Sequence, residues 1–186
     1  MIRLATLLAT PLLLTASLLA SADAAAANAC SLMTSQDAAA LAGANLPENF
    51  KAETAPTAQN GRDHTTLCGW FPKGYDLRSA EAPPEAGVQL TVHTLGSAAD
   101  AKSFHTNAAE MTREMAKSGP LATKISTPAG IGESAILDTK TLGGNAQVAT
   151  LKFLKGANAL QIQAWTKGPG AGDIAIKAAK QVAGRL

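Results

Sequence analysis

The sequence predicts an α+β fold, a largely antiparallel sheet covered by helices, and three observations carry that prediction. Residues 88–95 alternate, with Val88, Leu90 and Val92 on one face and Gln89, Thr91 and His93 on the other. Two further strand-like runs, 147–154 and 159–166, flank Lys155-Gly156-Ala157-Asn158, whose composition suits a hairpin turn. Helical stretches follow groups of strands instead of alternating with single strands, which argues against a doubly wound nucleotide-binding fold.

At the N-terminus, Arg3 supplies a minimal positive start, and Leu4 to Ala20 form an apolar run interrupted by Pro11. Ala20-Ser21-Ala22 and Ala22-Asp23-Ala24 are two small-x-small cleavage sites. Residues 1–24 therefore read as a signal peptide and 25–186 as a single α+β domain. The apolar run is short for a membrane span and lacks a basic stop-transfer cluster, so no stable span is expected after cleavage. Lipidation at Cys30 is the alternative. A lipid-accepting cysteine ordinarily follows the apolar run directly, whereas Ala27-Asn28-Ala29 stand before Cys30. Cys30 and Cys68 are the only two cysteines, and in an oxidising compartment they are expected to form one disulfide. A periplasmic or secreted location follows.

Thr34-Ser35-Gln36-Asp37 resembles a capping box, and an alanine-rich helix is expected from there to about Ala42, stopped by Gly43. Residues 47–63 mix Pro, Asn, Gly, Thr and charges without a period and read as an irregular connection. Thr65 to Phe71 is the first expected strand, ended by Pro72, and Lys73 to Gly87 is a loop containing Pro83-Pro84. After the 88–95 strand, Ser97 caps the clearest helix, which Gly119-Pro120 ends. Ala101, Phe104, Ala108, Met111 and Met115 recur at spacings of three and four. They predict one apolar stripe facing the core. Short strands are expected at 124–127 and 134–138, around a glycine turn that contains Gly130 and Gly132. The final helix starts at about Asp173, with Ile174, Ala178 and Val182 on one side.

A formal charge of +2, with lysines scattered along the chain, excludes a nucleic-acid footprint. A mature chain of about 160 residues suits one core of ordinary size. Aromatic residues make up only 4% of the chain, so that core must be built largely from small side chains.

Four segments together carry a resemblance. They are Cys30-Ser31-Leu32-Met33-Thr34, Cys68-Gly69-Trp70, Pro128-x-Gly130-Ile131-Gly132-Glu133-x-Ala135, and the closing alanine-rich helix ending Arg185-Leu186. In these the chain resembles a domain-of-unknown-function family of small secreted or lipid-anchored bacterial proteins, found especially in actinobacteria. The resemblance implies a compact α/β sandwich related to the PsbP-like fold and no shared enzymatic activity. The missing lipid-accepting cysteine upstream of Cys30 is a departure that favours a soluble form.

Chemistry-bearing motifs are few. Gly132-Glu133-Ser134-Ala135 lacks the glycine two places after serine that a nucleophile elbow needs, because Ile136 stands there. Gly168-Pro169-Gly170-Ala171-Gly172 lacks the Gly-Lys-Ser/Thr ending of a phosphate loop, and Asp173 would repel phosphate. His64, His93 and His105 are the only histidines, and a disulfide-bonded Cys68 cannot serve as a thiolate ligand, so no metal site is expected. His93 and His105 read as surface residues. No catalytic residue and no cofactor are expected.

Trp70 shares a face with Cys68 and is expected to pack over the disulfide. Trp165 shares a face with Gln161 and Gln163, opposite Leu160 and Ile162. It is expected either beneath the last helix or in a partly polar pocket. Trp165, Gln161 and Gln163 are thus the first ligand-binding candidates, with Arg62 and His64 a weaker second group. The expected function is a non-enzymatic binding or structural module of the cell envelope. Its partner would be a small molecule, an envelope component or a protein. A hydrolase or other enzyme with a dispersed site is one alternative, which a pocket with converging, strongly shifted ionisable groups would favour. A protein-inhibitor or immunity-type module is another, which a broad exposed apolar patch would favour.

Overall fold

The computed structural model describes residues 27–54, 63–76 and 82–186; the expected signal peptide, 1–24, lies outside them. Two short helices, α1 (Ala29–Leu32) and α2 (Ser35–Ala42), precede strands β1 (Glu48–Thr54), β2 (His64–Trp70) and β3 (Ala86–Thr94). Helix α3 (Ala98–Ser118) follows, then β4 (Thr123–Ser126), β5 (Ser134–Thr141), β6 (Gln147–Lys155), β7 (Asn158–Thr166) and α4 (Ala171–Ala183). The seven strands form one sheet in the order β1-β2-β3-β7-β6-β5-β4, and every neighbouring pair is antiparallel. The α+β class and the antiparallel sheet are as expected.

Local chemistry sets several boundaries. The Thr34 hydroxyl accepts from Asp37 N while the Asp37 carboxylate accepts from Thr34 N, and Gly43 closes α2 in the left-handed conformation at φ 66°. The Ser97 hydroxyl caps α3 by accepting from Asp100 N. Strand β1 corrects the expectation of an irregular connection over 47–63. Its Glu-Asn-Phe-Lys-Ala-Glu-Thr sequence has little strand character, and the edge of β2 supplies the pairing that makes it a strand.

Strand parity divides the sheet into two unlike faces. Cys68, Leu90, Ile162, Leu151 and Leu137 form one cross-strand row, and with Trp70, Val88, Val92, Leu160 and Phe153 they build an apolar face. Helices α1, α2 and α4 pack there, α4 through Ala175, Ala178, Ala179 and Val182. The Cys30–Cys68 disulfide spans 5.2 Å between Cα atoms and fastens α1 to β2, with Trp70 fully buried in the same cluster.

Beyond this face, Arg185 after α4 closes the structure back onto its start. Arg185 Nη1 donates to Asp37 Oδ2 at 2.7 Å and to the Leu32 carbonyl at 2.8 Å, while Gln181 donates to Asp37 Oδ1 at 2.5 Å. The guanidinium holds the Asp37 carboxyl far below the usual carboxylate range. A depressed folded-state pKa contributes stability that is full above the unfolded value of about 4 and fades as pH falls toward the folded one. Arg185→Ala is therefore expected to cost about 1 kcal/mol near neutral pH, the upper end for a partly exposed pair. Urea midpoints of the two proteins should converge between about pH 5 and pH 2. A gap that stays constant with pH would assign the loss to the Leu32 carbonyl contact instead.

The opposite face is polar and lies under α3. Helix α3 buries Ala101, His105, Ala109 and Thr112, and leaves Phe104, Met111 and Met115 at 42%, 63% and 59% exposure. This corrects the predicted core-facing stripe of Ala101, Phe104, Ala108, Met111 and Met115 at Phe104, Met111 and Met115, while Ala101 is buried as expected. It also corrects the reading of His105 as a surface residue. The physical reason lies in the sheet. The surface that receives the helix presents Gln161, Gln163, Thr150 and Lys152, so the face of α3 that docks there carries small and hydrogen-bonding side chains.

Candidate functional site

The space between α3 and the polar sheet face is the candidate site. Two cross-strand rows form its floor: Gln89, Gln163, Thr150 and Asp138 in one, Thr91, Gln161, Lys152 and Ile136 in the next. Strands β3, β7, β6 and β5 each contribute one residue to each row, because side chains two apart along a strand share a face. Gln89 Nε2 and Gln163 Oε1 are 3.5 Å apart, as are Gln163 Nε2 and Thr150 Oγ1. Gln89 Oε1 is buried without a hydrogen-bond partner among the described residues.

Lys152 is the central charge. Its Nζ donates to Thr112 Oγ1 at 2.6 Å, and that hydroxyl donates to the Ala108 carbonyl at 2.8 Å. Among the described residues no carboxylate lies within ion-pair distance of Lys152, since buried Asp138 is engaged by Lys140 at 3.5 Å. Burial lowers the Lys152 pKa, opposed in part by the Asp138 charge and assisted by Lys140. Burial also lowers the pKa of His105, helped by the charges of Lys152 and Arg113, and burial alone lowers that of His93. With an ordinary value near 6.5, both histidines are neutral at pH 7.

Two adjoining cavities share Lys152 and Gln161. One, of about 210 Å³, is lined by His93, Phe104, His105, Met111, Lys152 and Gln161 among others. The second, of about 180 Å³, lies farther along α3 and is more polar, with Thr112, Asp138, Lys140, Thr150 and Gln163 in its wall. The arrangement offers one desolvated cation, several amides and hydroxyls that donate or accept, and an apolar rim. Such a set orients a bound small molecule by charge and hydrogen bonding.

Of the residues singled out from sequence, Gln161 and Gln163 meet in this space. Trp165 occupies the same sheet face but is only 8% exposed. Its cover is Phe71, whose ring centroid lies 5.5 Å away, and not the last helix, which packs on the opposite face. Phe71 can lie there because Gly69 and Gly87 are beneath it; a Cβ on either would approach its ring to 2.6 Å. His64 belongs to the apolar-side parity of β2, away from the cleft, and Arg62 lies outside the described residues. Lys152, Thr112, His105 and Gln89 were not singled out. The hairpin register held the signal for Lys152, since counting back from the 155–158 turn sets Lys152 beside Gln161.

No helix among the described residues is long and apolar enough to cross a membrane. No family model matches the chain, and no curated protein matches it. Among solved structures, the fold is similar to that of the extracellular domain of PknH from Mycobacterium tuberculosis. The TM-score is 0.57 at 13% sequence identity, over 82% of this chain and 93% of that one, a likeness of fold alone.

Proposed function

We propose that this chain is an exported, non-enzymatic module of the bacterial cell envelope that binds a small molecule between α3 and the polar face of its sheet. The observation that carries the proposal is the state of Lys152. It is a half-buried ammonium whose hydrogen-bond partner is a neutral hydroxyl, with no carboxylate within ion-pair distance among the described residues. Desolvating such groups costs stability unless something else satisfies them, and a bound ligand does so. The leader-like N-terminus, the disulfide and the fold shared with an extracellular domain all support export to a periplasmic or secreted location. The proposal places the chain in the domain-of-unknown-function family with the PsbP-like fold that its cysteine and glycine motifs resemble.

Native mass spectrometry of the mature protein isolated from its own envelope fraction tests this reading. The expected result is a bound species of less than about 1 kDa, the size such pockets hold, that is lost in Lys152→Met. Methionine keeps the shape of the stem without leaving a charge unpaired, so the variant should stay folded. An adduct retained in full by the variant, or a bare mass throughout, overturns the proposal.

A further inference from the structure

The exposed apolar residues of α3 and the cationic cleft meet at one mouth. Phe104 and Met111, both substantially exposed, line the same cavity as Lys152, His93 and His105. Met115 lines the adjoining one. From Phe104 to Met115 the ridge runs about 16 Å along the helix, at ~1.5 Å per residue. No carboxylate lines the first cavity among the described residues, and Asp138, in the wall of the adjoining one, is held by Lys140. The charge facing this cavity is therefore positive: Lys152 from β6, with neutral His93 from β3 and neutral His105 from α3, the latter feeling Arg113 on its own helix. A wholly polar ligand would leave Phe104 and Met111 exposed, and a wholly apolar one would leave Lys152 unpaired.

We propose that the ligand of this cleft is a single-chain amphiphile with an acidic head, its acid group on Lys152 and its hydrocarbon chain along Phe104, Met111 and Met115. This inference rests on the binding reading above and names the ligand class. Desolvation strengthens the pairing of an acid with Lys152, while an alcohol of equal length forms only a neutral hydrogen bond there. Each methylene that leaves water against the ridge should tighten binding about two- to fourfold.

The test uses the mature protein with methyl-labelled methionine and the probes butanoate, octanoate, decanoate, dodecanoate and dodecanol, all kept below micelle formation. Met33, fully buried on the other face, serves as an internal reference. The expected result is stoichiometric binding that tightens along the acid series and shifts the Met111 methyl while leaving Met33 still. Dodecanol should bind at least tenfold more weakly than dodecanoate, a difference that Lys152→Met erases. Equal affinity for dodecanoate and dodecanol overturns the proposal. Lys152-dependent binding of butanoate with no gain along the series also overturns it, while leaving the cleft as a site for small polar acids. If no probe shifts Met111 and Lys152→Met retains the envelope-derived adduct, both readings fall. Adsorption to vesicles of anionic phospholipid without stoichiometric uptake of any acid marks α3 as a membrane-contact ridge and overturns the amphiphile.

Discussion

Replacing Cys30 and Cys68 together by alanine is expected to destabilise the domain by about 4 kcal/mol. The bond closes a separation of 38 residues. A loop of that size forfeits about 4 kcal/mol of denatured-state entropy when cross-linked. Against a total of roughly 5–15 kcal/mol for a domain of this kind, that is a large share. Alanine is the proper replacement because Cys68 is fully buried between strands, where a serine hydroxyl would add a desolvation cost of its own. Guanidinium unfolding checks the result. The midpoint should fall, and the denaturant slope should rise as the unfolded chain expands without its cross-link. Parent protein reduced with dithiothreitol should fall on the same curve. A loss below about 1 kcal/mol would mean that the denatured chain is already held compact by other contacts.

The disulfide was legible because its determinants are countable: the chain has two cysteines and no others. The same holds wherever structure follows from neighbours in sequence. The Thr34–Asp37 box with Gly43, the Ser97 cap and the 155–158 hairpin turn are all set within a few residues, and each falls where the sequence locates it. Features decided by a distant partner were not legible. Strand β1 exists because β2 offers it an edge; Phe50 and Ala52 alone alternate with polar neighbours there, too little apolar character to announce a strand. Helix α3 has a good apolar stripe by spacing, yet it docks by its small and polar face because the sheet beneath it is polar. Reading which side of α3 is buried needed the parity of β6 and β7 first.

The candidate site follows the same division. Gln161 and Gln163 were recognisable as polar residues out of step with Leu160 and Ile162. Lys152 required transferring that parity across a hairpin, and His105 required knowing which face of α3 meets the sheet. Trp165 was misleading for a different reason. Its cover, Phe71, lies 94 residues away in the chain and reaches it over two glycines of separate strands. No local pattern encodes that contact.

The glycine turn before β5 supplies a second large effect, with a control built into the same loop. Gly132→Ala is expected to cost about 3 kcal/mol or more, a value reached only where backbone strain adds to a clash. Gly132 has φ +54°, and a Cβ on it would lie 2.1 Å from the Leu154 carbonyl oxygen. That oxygen cannot easily withdraw, since it accepts from Glu133 N at 2.8 Å. The loop cannot easily swing away either. Ile131 on one side is buried in the core, and on the other the Glu133 carboxylate accepts from Gly156 N at 2.7 Å. Gly130, two residues earlier, has φ +72°, and a Cβ there would meet nothing within 4 Å. Gly130→Ala should therefore cost only the left-handed backbone term, about 1 kcal/mol, part of it offset by the stiffer unfolded chain. Thermal or urea unfolding of the two single variants separates the contributions, because both carry the strain and only one carries the clash. Equal losses would show that the β4–β5 loop shifts as a body to relieve the contact, at the expense of Ile131 packing or the Glu133–Gly156 bond. A Glu133→Ala change made on top of Gly132→Ala would then add nothing further.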